Sequence, residues 1–450
     1  MTSAQLQSLF VQKGCKKLYA KQLAKNDNSK NQVYFAGAVE TLNILPSQQI
    51  YAENTSKGPS FKALLNFGWL LDSGQVTPAP HAKLILYSQY PEIRFSGFLL
   101  SSKGSPSALM APRPSSGHRR PGTVEKQFVD RILFLGVTTD RKVIGYLAAG
   151  NSEIAVEFRA KANATTLAVF TEVPLPSIVV PAEARALLLK ELGRISRLGW
   201  IDSKQLGANG NLLPCNAPQC GGFTLEAELG IPKNSNAEPD FLGWEIKQYA
   251  VDNLESIESS KAITLMTPEP NGGFYRNNSI AAFIRKFGYA DKNGKPDRLN
   301  FGGRHFAGRK CGATGLTMHL VGYNIEKHQI TDADGSVALT NDDGELAASW
   351  SFQKIFEHWS HKHARAAYVP SVCRRDPARQ YHYGHTVRLA EVTDPLRLLK
   401  ALASGSVYYD PGIKLEQAST QKPTHKKRSQ FRVASRAIRT LYEKTESVEV

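Results

Sequence analysis

Residues 221–249 read GGFTLEAELGIPKNSNAEPDFLGWEIKQY, from Gly221 to Tyr249. Its end, Phe241–Ala250, reads as a strand, and on a strand side chains two apart share a face. Glu245 and Lys247 therefore point the same way. Asp240 follows Pro239 and enters this strand from a turn, which lets its carboxylate converge on that of Glu245. Two carboxylates at a strand edge offer hard oxygen ligands to Mg2+. A lysine beside them can orient or deprotonate a water and offset charge developing on a phosphate. These are the groups that phosphodiester hydrolysis needs.

The tripeptide alone is weak evidence. Acid-x-Lys recurs at Asp140-Arg141-Lys142 and Asp202-Ser203-Lys204, where a solvated salt bridge is the ordinary explanation. The longer pattern is more selective: Pro-Asp, then Glu-x-Lys five residues on, and Glu226 fourteen residues before Asp240 in a Gly-Gly-x-Thr-Leu-Glu context. Glu228 competes with Glu226, but on a helix the two point about 200° apart, so only one faces the site.

This pattern resembles the MvaI/BcnI restriction endonucleases and, more distantly, the mismatch-repair nickases of the MutH type, all with the PD-(D/E)xK nuclease fold. In that family a helix-borne glutamate precedes the Asp, Glu and Lys. The match falls on Glu226, Asp240, Glu245 and Lys247 without a gap, and the family spacing selects Glu226 over Glu228. The resemblance runs over roughly residues 180–440, through RHFAG (304–308), VYYDPGIKLE (407–416) and KKRSQFRV (426–433). It implies an α/β PD-(D/E)xK domain over residues 182–450, with Asp240 and Glu245 as Mg2+ ligands. The implied activity is cleavage of duplex DNA by a monomer that nicks each strand in turn.

Two basic segments are candidates for DNA contact. Gln421–Arg439 carries seven Lys/Arg and no acid, with Gln430 and Phe431 interrupting the charge. Arginine pairs bidentately with guanine and glutamine with adenine in the major groove, so Lys427, Arg428, Gln430 and Arg432 are the candidate readers, with phosphate contact alone as the alternative. Arg374–His385 interleaves Arg374, Arg375 and Arg379 with Tyr and His, which suits a DNA-facing loop. His361 and His363 lack a carboxylate in register for a metal. The five cysteines show no matching second pair beside the C-x4-C of Cys215 and Cys220, so neither zinc nor a disulfide framework is expected, and the thiols should be reduced.

Upstream, residues 1–175 read as β-rich, with strands expected at Gln32–Val39, Ala82–Tyr87, Ile93–Leu100, Arg131–Val137, Val143–Ala149 and Ile154–Phe158. Lys103–Pro121, rich in Ser, Pro and Gly, should be a loop. Pro174, Pro176 and Pro181 mark a linker over 176–181, and Leu188, Leu192 and Ile195 then fall on one face of a helix over Ala182–Leu198. The overall class is α+β and multidomain. KQLAKNDNSKNQV (21–33) resembles a segment of the EcoRII-type effector domain, matching at Lys21, Leu23, Asn26, Asp27, Gln32 and Val33. That resemblance implies a β-pseudobarrel that embraces DNA with two arms, one carrying Lys21, Asn26, Asp27, Lys30 and Gln32, the other (82–98) carrying Arg94. Both resembling families recognise CCWGG, and the MvaI type cuts before W.

The chain has 450 residues, 56 Lys plus Arg against 40 Asp plus Glu, and a net charge of +16. That surplus favours a polyanionic partner, nucleic acid above all. Residues 1–180 hold 20 basic and 11 acidic groups, so each half is basic by itself. With no signal-peptide core and no apolar stretch of membrane length, the expectation is a cytoplasmic prokaryotic protein without a membrane partner. It would work beside a cognate DNA methyltransferase, with the N-terminal domain binding a second copy of the site. Two alternatives stand: an endonuclease whose N-terminal domain reads a modified base, and a DNA-binding protein with an inactive nuclease fold.

Overall fold

The computed structural model describes residues 1–23, 32–35, 41–56, 58–90, 92–104, 106, 130–160, 166–176, 181–217, 219–232, 239–255, 257–259, 261–360 and 363–450, with only the backbone at 181 and 182. The chain folds into two compact units, residues 1–53 with 60–187, and residues 54–59 with 188–450. The expected loop 103–121 lies mostly outside the described residues, as do 177–180 of the expected linker.

The first unit opens with helix α1 (Ser3–Gln12), whose start is a capping box between Thr2 and Gln5. Two sheets follow. In the seven-stranded one, Cys15–Gln22, Ile132–Thr138 and Val143–Ala148 are antiparallel neighbours, and Phe67–Leu70 joins the last of these in parallel. The five-stranded one holds Val33–Tyr34, Glu92–Ser96, Lys83–Tyr87, Gly58–Leu64 and Ile50–Thr55 in that order. Alternation explains Glu92–Ser96: Ile93 and Phe95 are buried while Glu92, Arg94 and Ser96 face outward. Phe35, Phe67 and Phe95 pack ring against ring inside. α1 lies so close to the first sheet that a Cβ on Gly136 would stand 2.5 Å from Phe10.

The strand expected at Ile154–Phe158 is instead a helix, α2 (Glu153–Ala160). Ile154, Ala155 and Phe158 lie on one helical face, the first two buried and Phe158 against the same core, while Val156 is exposed. Ser152 accepts from the Ala155 N–H, and Glu153 and Arg159 occupy the ends that favour their charges. Capping and charge outweigh β-branching here.

Helix α3 (Pro181–Arg197) runs across the boundary at 187/188, and proline starts it, as its missing N–H allows. Leu188, Leu192 and Ile195 face the core as their spacing foretold. A six-stranded sheet carries β1 (Glu245–Ala250), β2 (Arg365–Arg374), β3 (Gln380–Tyr383), β4 (Thr386–Glu391) and β5 (Lys444–Glu449), with Ile201–Asp202 beside β3. β1 runs parallel to β2, placing Glu245 opposite Ala366 and Lys247 opposite Tyr368. The other pairs are antiparallel. Ile246, Ala367, Val369, Val387 and Leu389 form one face, closed by α3 and by α4 (Cys220–Glu228). Smaller sheets and the helices Ile280–Phe287, Phe352–Ser360 and Pro395–Ala403 build the rest around Trp350, Tyr409 and Phe431, whose ring centres lie 4.5–5.3 Å apart.

The strand expected from Phe241 starts only at Glu245. Leu242 and Gly243 take positive φ (46° and 89°), and Phe241 and Trp244 close a tight turn with reciprocal N–H to carbonyl bonds of 2.9 and 2.8 Å. The cysteines also depart from expectation, since Cys215 and Cys220 are joined by a disulfide. Cys15, Cys311 and Cys373 are free thiols. Among the described residues, no helix is long and apolar enough to cross a membrane.

Candidate active site

Three segments bring Glu226, Asp240, Glu245 and Lys247 together. β1 supplies Glu245, 2% exposed, and Lys247, whose Nζ donates to Glu245 Oε1 at 2.6 Å. The turn before β1 supplies Asp240, and the Ile246 N–H donates to its Oδ2 at 3.0 Å. This bond fixes the turn and aims the carboxylate along the strand edge. α4 supplies Glu226.

Burial works against the Lys247 ammonium, but Glu245, then Asp240, then Glu226 outweigh it and hold its pKa above the ordinary 10.5. One cation thus lies in the field of all three carboxylates. Glu228 is used differently: its carboxylate meets Lys204 at 2.5 Å and Arg194 at 3.5 Å. The helix face resolves the two glutamates as their 200° separation requires.

Why α4 sits there is legible in its glycines. A Cβ on Gly221 would lie 2.7 Å from Gln248 Oε1 on β1, so a larger residue here would push the Gln248 side chain aside. The Tyr383 hydroxyl donates to Gly221 O at 2.7 Å, and buried Thr224 both donates to Lys204 O and accepts from Lys204 N, each at 3.1 Å. Tyr383, Thr224 and Gln248 were not singled out from sequence. Gly221 and Gly222 were the only local signal, since Tyr383 lies 162 residues from Gly221.

Behind β1, on the face shared by Glu245 and Lys247, lie Tyr368 and Tyr442, both buried with hydroxyls 3.1 Å apart. Burial raises both phenols, and the Glu245 carboxylate adds to the rise. The wall behind the carboxylate is therefore neutral.

Three carboxylates form a hard oxygen donor set, which suits Mg2+ and not a soft metal. Among the described residues no three His, Cys, Asp or Glu stand at ligating distance of one point. Lys247 holds the position next to Glu245.

The expected DNA-contacting residues divide. Lys427, Arg428 and Arg375 are exposed. Arg374 is exposed, with its guanidinium 4.5 Å from the Trp200 ring centre, and it donates to Gln380 at 2.6 Å. Arg379 is half-buried and donates to Ala217 O at 2.9 Å. Two expectations need correction. Gln430 is 8% exposed and accepts from Thr264 Oγ1 at 2.9 Å, so it braces the fold and does not face a groove. Arg432 is paired with Asp410 at 2.7 Å and donates to Ala262 O at 2.7 Å. The reason is that Phe431–Ala434 is a strand inside a sheet, with Phe431 and Val433 buried. His363 is buried, stacked on Trp359 at 4.0 Å, while His361 lies outside the described residues.

In the first unit, Gln32 and Arg94 meet: Arg94 donates to Gln32 Oε1 at 3.1 Å and to Glu92 at 2.7 Å, with its guanidinium 4.9 Å from the Tyr87 ring centre. Lys21 is half-buried on its strand, and burial lowers its pKa. Asn26, Asp27 and Lys30 lie outside the described residues.

The family described as the MvaI/BcnI restriction endonuclease family matches residues 189–442. A structure of the restriction endonuclease MvaI with cognate DNA is similar at a TM-score of 0.42 and 16% identity, covering 58% of this chain and 97% of that one. MvaI without DNA gives 0.32 and 15%, covering 59% and 98%. No curated protein matches significantly.

Proposed function

Since the chain belongs to the MvaI/BcnI restriction endonuclease family, we propose that it is a Type II restriction endonuclease, a monomer that hydrolyses phosphodiesters of duplex DNA with Mg2+. The observation that carries this is the Lys247–Glu245 ion pair at 2.6 Å, with Asp240 bonded to the Ile246 N–H of the same strand and Asp240 and Glu226 acting on Lys247 through their charge, within the family-matched residues.

Asp240 and Glu245 are the groups that would hold the ion, with Glu226 completing the acidic edge. Mg2+ supplies charge stabilisation to the phosphoryl oxygens and makes a water a better nucleophile. The chain's own part is positional. β1 fixes Glu245 and Lys247 on one face, the Ile246 N–H holds Asp240, and α4 brings Glu226. Lys247, kept protonated, orients the attacking water and faces the charge that builds on the phosphate.

The target belongs to the same proposal: a short pseudopalindrome of the CCWGG type, cut before W, with residues 1–175 as an effector domain holding a second copy and residues 182–450 as the nuclease. A methyltransferase of the same specificity would protect the host. Support comes from the basic charge of both halves and from the exposed Arg374, Arg375, Lys427 and Arg428. The test is to incubate plasmid DNA of known methylation with the protein in Mg2+ or EDTA and sequence the ends. Defined ends appearing only with Mg2+ are expected. Intact plasmid in Mg2+ would overturn the proposal.

A further inference from the structure

The helix that carries Glu226 is weak by its own sequence. α4 has nine residues, its N-cap Gln219 makes no side-chain cap, and Gly221-Gly222 lie between its first residue and Glu226. Helices this short are marginal alone, and glycine is the least favourable helix residue after proline. Gly221 lies against the side-chain amide of Gln248, while a Cβ on Gly222 would meet nothing nearer than 3.9 Å. Something else must hold the N-terminus.

The disulfide is in that place. Cys220 is the first residue of α4, and its partner Cys215 is fixed by two bonds to Ser203: Cys215 N donates to Ser203 O at 3.1 Å, and Ser203 Oγ donates to Cys215 O at 2.6 Å. Between them, Ala217 O accepts from Arg379. Both sulfurs are in the core, Cys215 at 6% and Cys220 at 0% exposure. At the other end of α4, Glu228 is held by Lys204 and Arg194. Glu226 thus sits on a helix pinned at both ends across a glycine pair.

We propose that the Cys215–Cys220 cross-link is a positioning element for Glu226, so that opening it loosens the acidic edge without touching the DNA-contacting surface. This rests on the nuclease reading of that edge. Opening is thiol–disulfide exchange: an external dithiol gives up two electrons and two protons, ending as its own disulfide, and Cys215 and Cys220 end as thiols.

The test compares full-length protein purified without reductant against the same protein treated with dithiothreitol. Peptide mapping reports the cross-link, DNA affinity is measured in EDTA, and single-turnover cleavage is measured across a Mg2+ titration. The expected result is a link in the untreated protein and cleavage slower by on the order of tenfold or more after opening. The Mg2+ midpoint should rise while DNA affinity stays unchanged. The double variant Cys215→Ser/Cys220→Ser should match the treated protein and ignore dithiothreitol. If it fails to fold, the treated wild type still decides. Equal cleavage once peptide mapping shows the link opened, absence of the link from the untreated protein, or a parallel loss of DNA affinity would each overturn the positioning role and leave the nuclease reading standing. An untreated protein that never cuts would overturn both.

Discussion

On α4 the Glu228 carboxylate lies between Lys204 and Arg194, while Glu226, one half-turn away, lies in the field of Lys247. Glu226→Gln should therefore slow single-turnover cleavage by tenfold or more, about 1.4 kcal/mol per tenfold, with thermal stability nearly unchanged. Glu228→Gln should do the reverse, lowering stability by about 1–3 kcal/mol because two cations lose a charged partner. Equal loss of cleavage in both variants would sink the assignment of Glu226. A second residue gives a pH prediction. Asp291 accepts from Asn300 and from the N–H groups of Asn293 and Lys295, beside Arg298, and these hold its pKa at about 2. A folded-state pKa below the ordinary 3.8 means stability that is present above that value and lost as pH falls through about 2. Thermal unfolding of wild type and Asp291→Asn should differ at pH 6, and the gap should close towards pH 2. A constant gap would assign the effect to lost hydrogen bonds alone.

At the scale of elements, spacing and resemblance together located the α4–turn–β1 assembly, because Gly-Gly, Pro-Asp and Glu-x-Lys are local signals. What spacing could not show was the start of β1. Phe241–Trp244 looks like strand by composition, yet Leu242 and Gly243 turn it. The basic run 421–439 misled for a related reason: its charge suggested a solvated groove-facing segment, but Phe431 and Val433 alternate inward and draw Gln430 and Arg432 into the sheet. Partners such as Thr264 and Asp410 lie far off in sequence and leave no local trace. Arg428 and Arg432 should now behave differently. Arg428→Ala should weaken cognate binding, by about 1–3 kcal/mol if the arginine reads a base, and leave the fold intact. Arg432→Ala should instead lower the unfolding temperature, since it strands Asp410. Binding titrations and calorimetry on both variants separate the cases. Unfolding by the first or a purely specific binding loss in the second would contradict this reading.

For the whole molecule, the division into two compact units gives the effector proposal its test. Two-site plasmid should be cut faster than one-site plasmid by the full chain, because a tethered second binding event occurs at high effective concentration. A fragment from Pro176 onward keeps α3 whole and should treat both plasmids alike. If the full chain shows no preference, residues 1–175 need another role. The N-terminal half was less legible, since its resemblance rests on one short polar segment, 21–33, with no spaced catalytic motif. One consequence follows from the parallel pairing of β1 with β2. The two strands come from positions about 120 residues apart, and β5 at 444–449 closes the same sheet. A ribosome that has released the chain only as far as residue 360 has made Glu226, Asp240, Glu245 and Lys247, but not the strand that fixes two of them. Cleavage therefore becomes possible only once the strands at 365–374 and 444–449 have also been made.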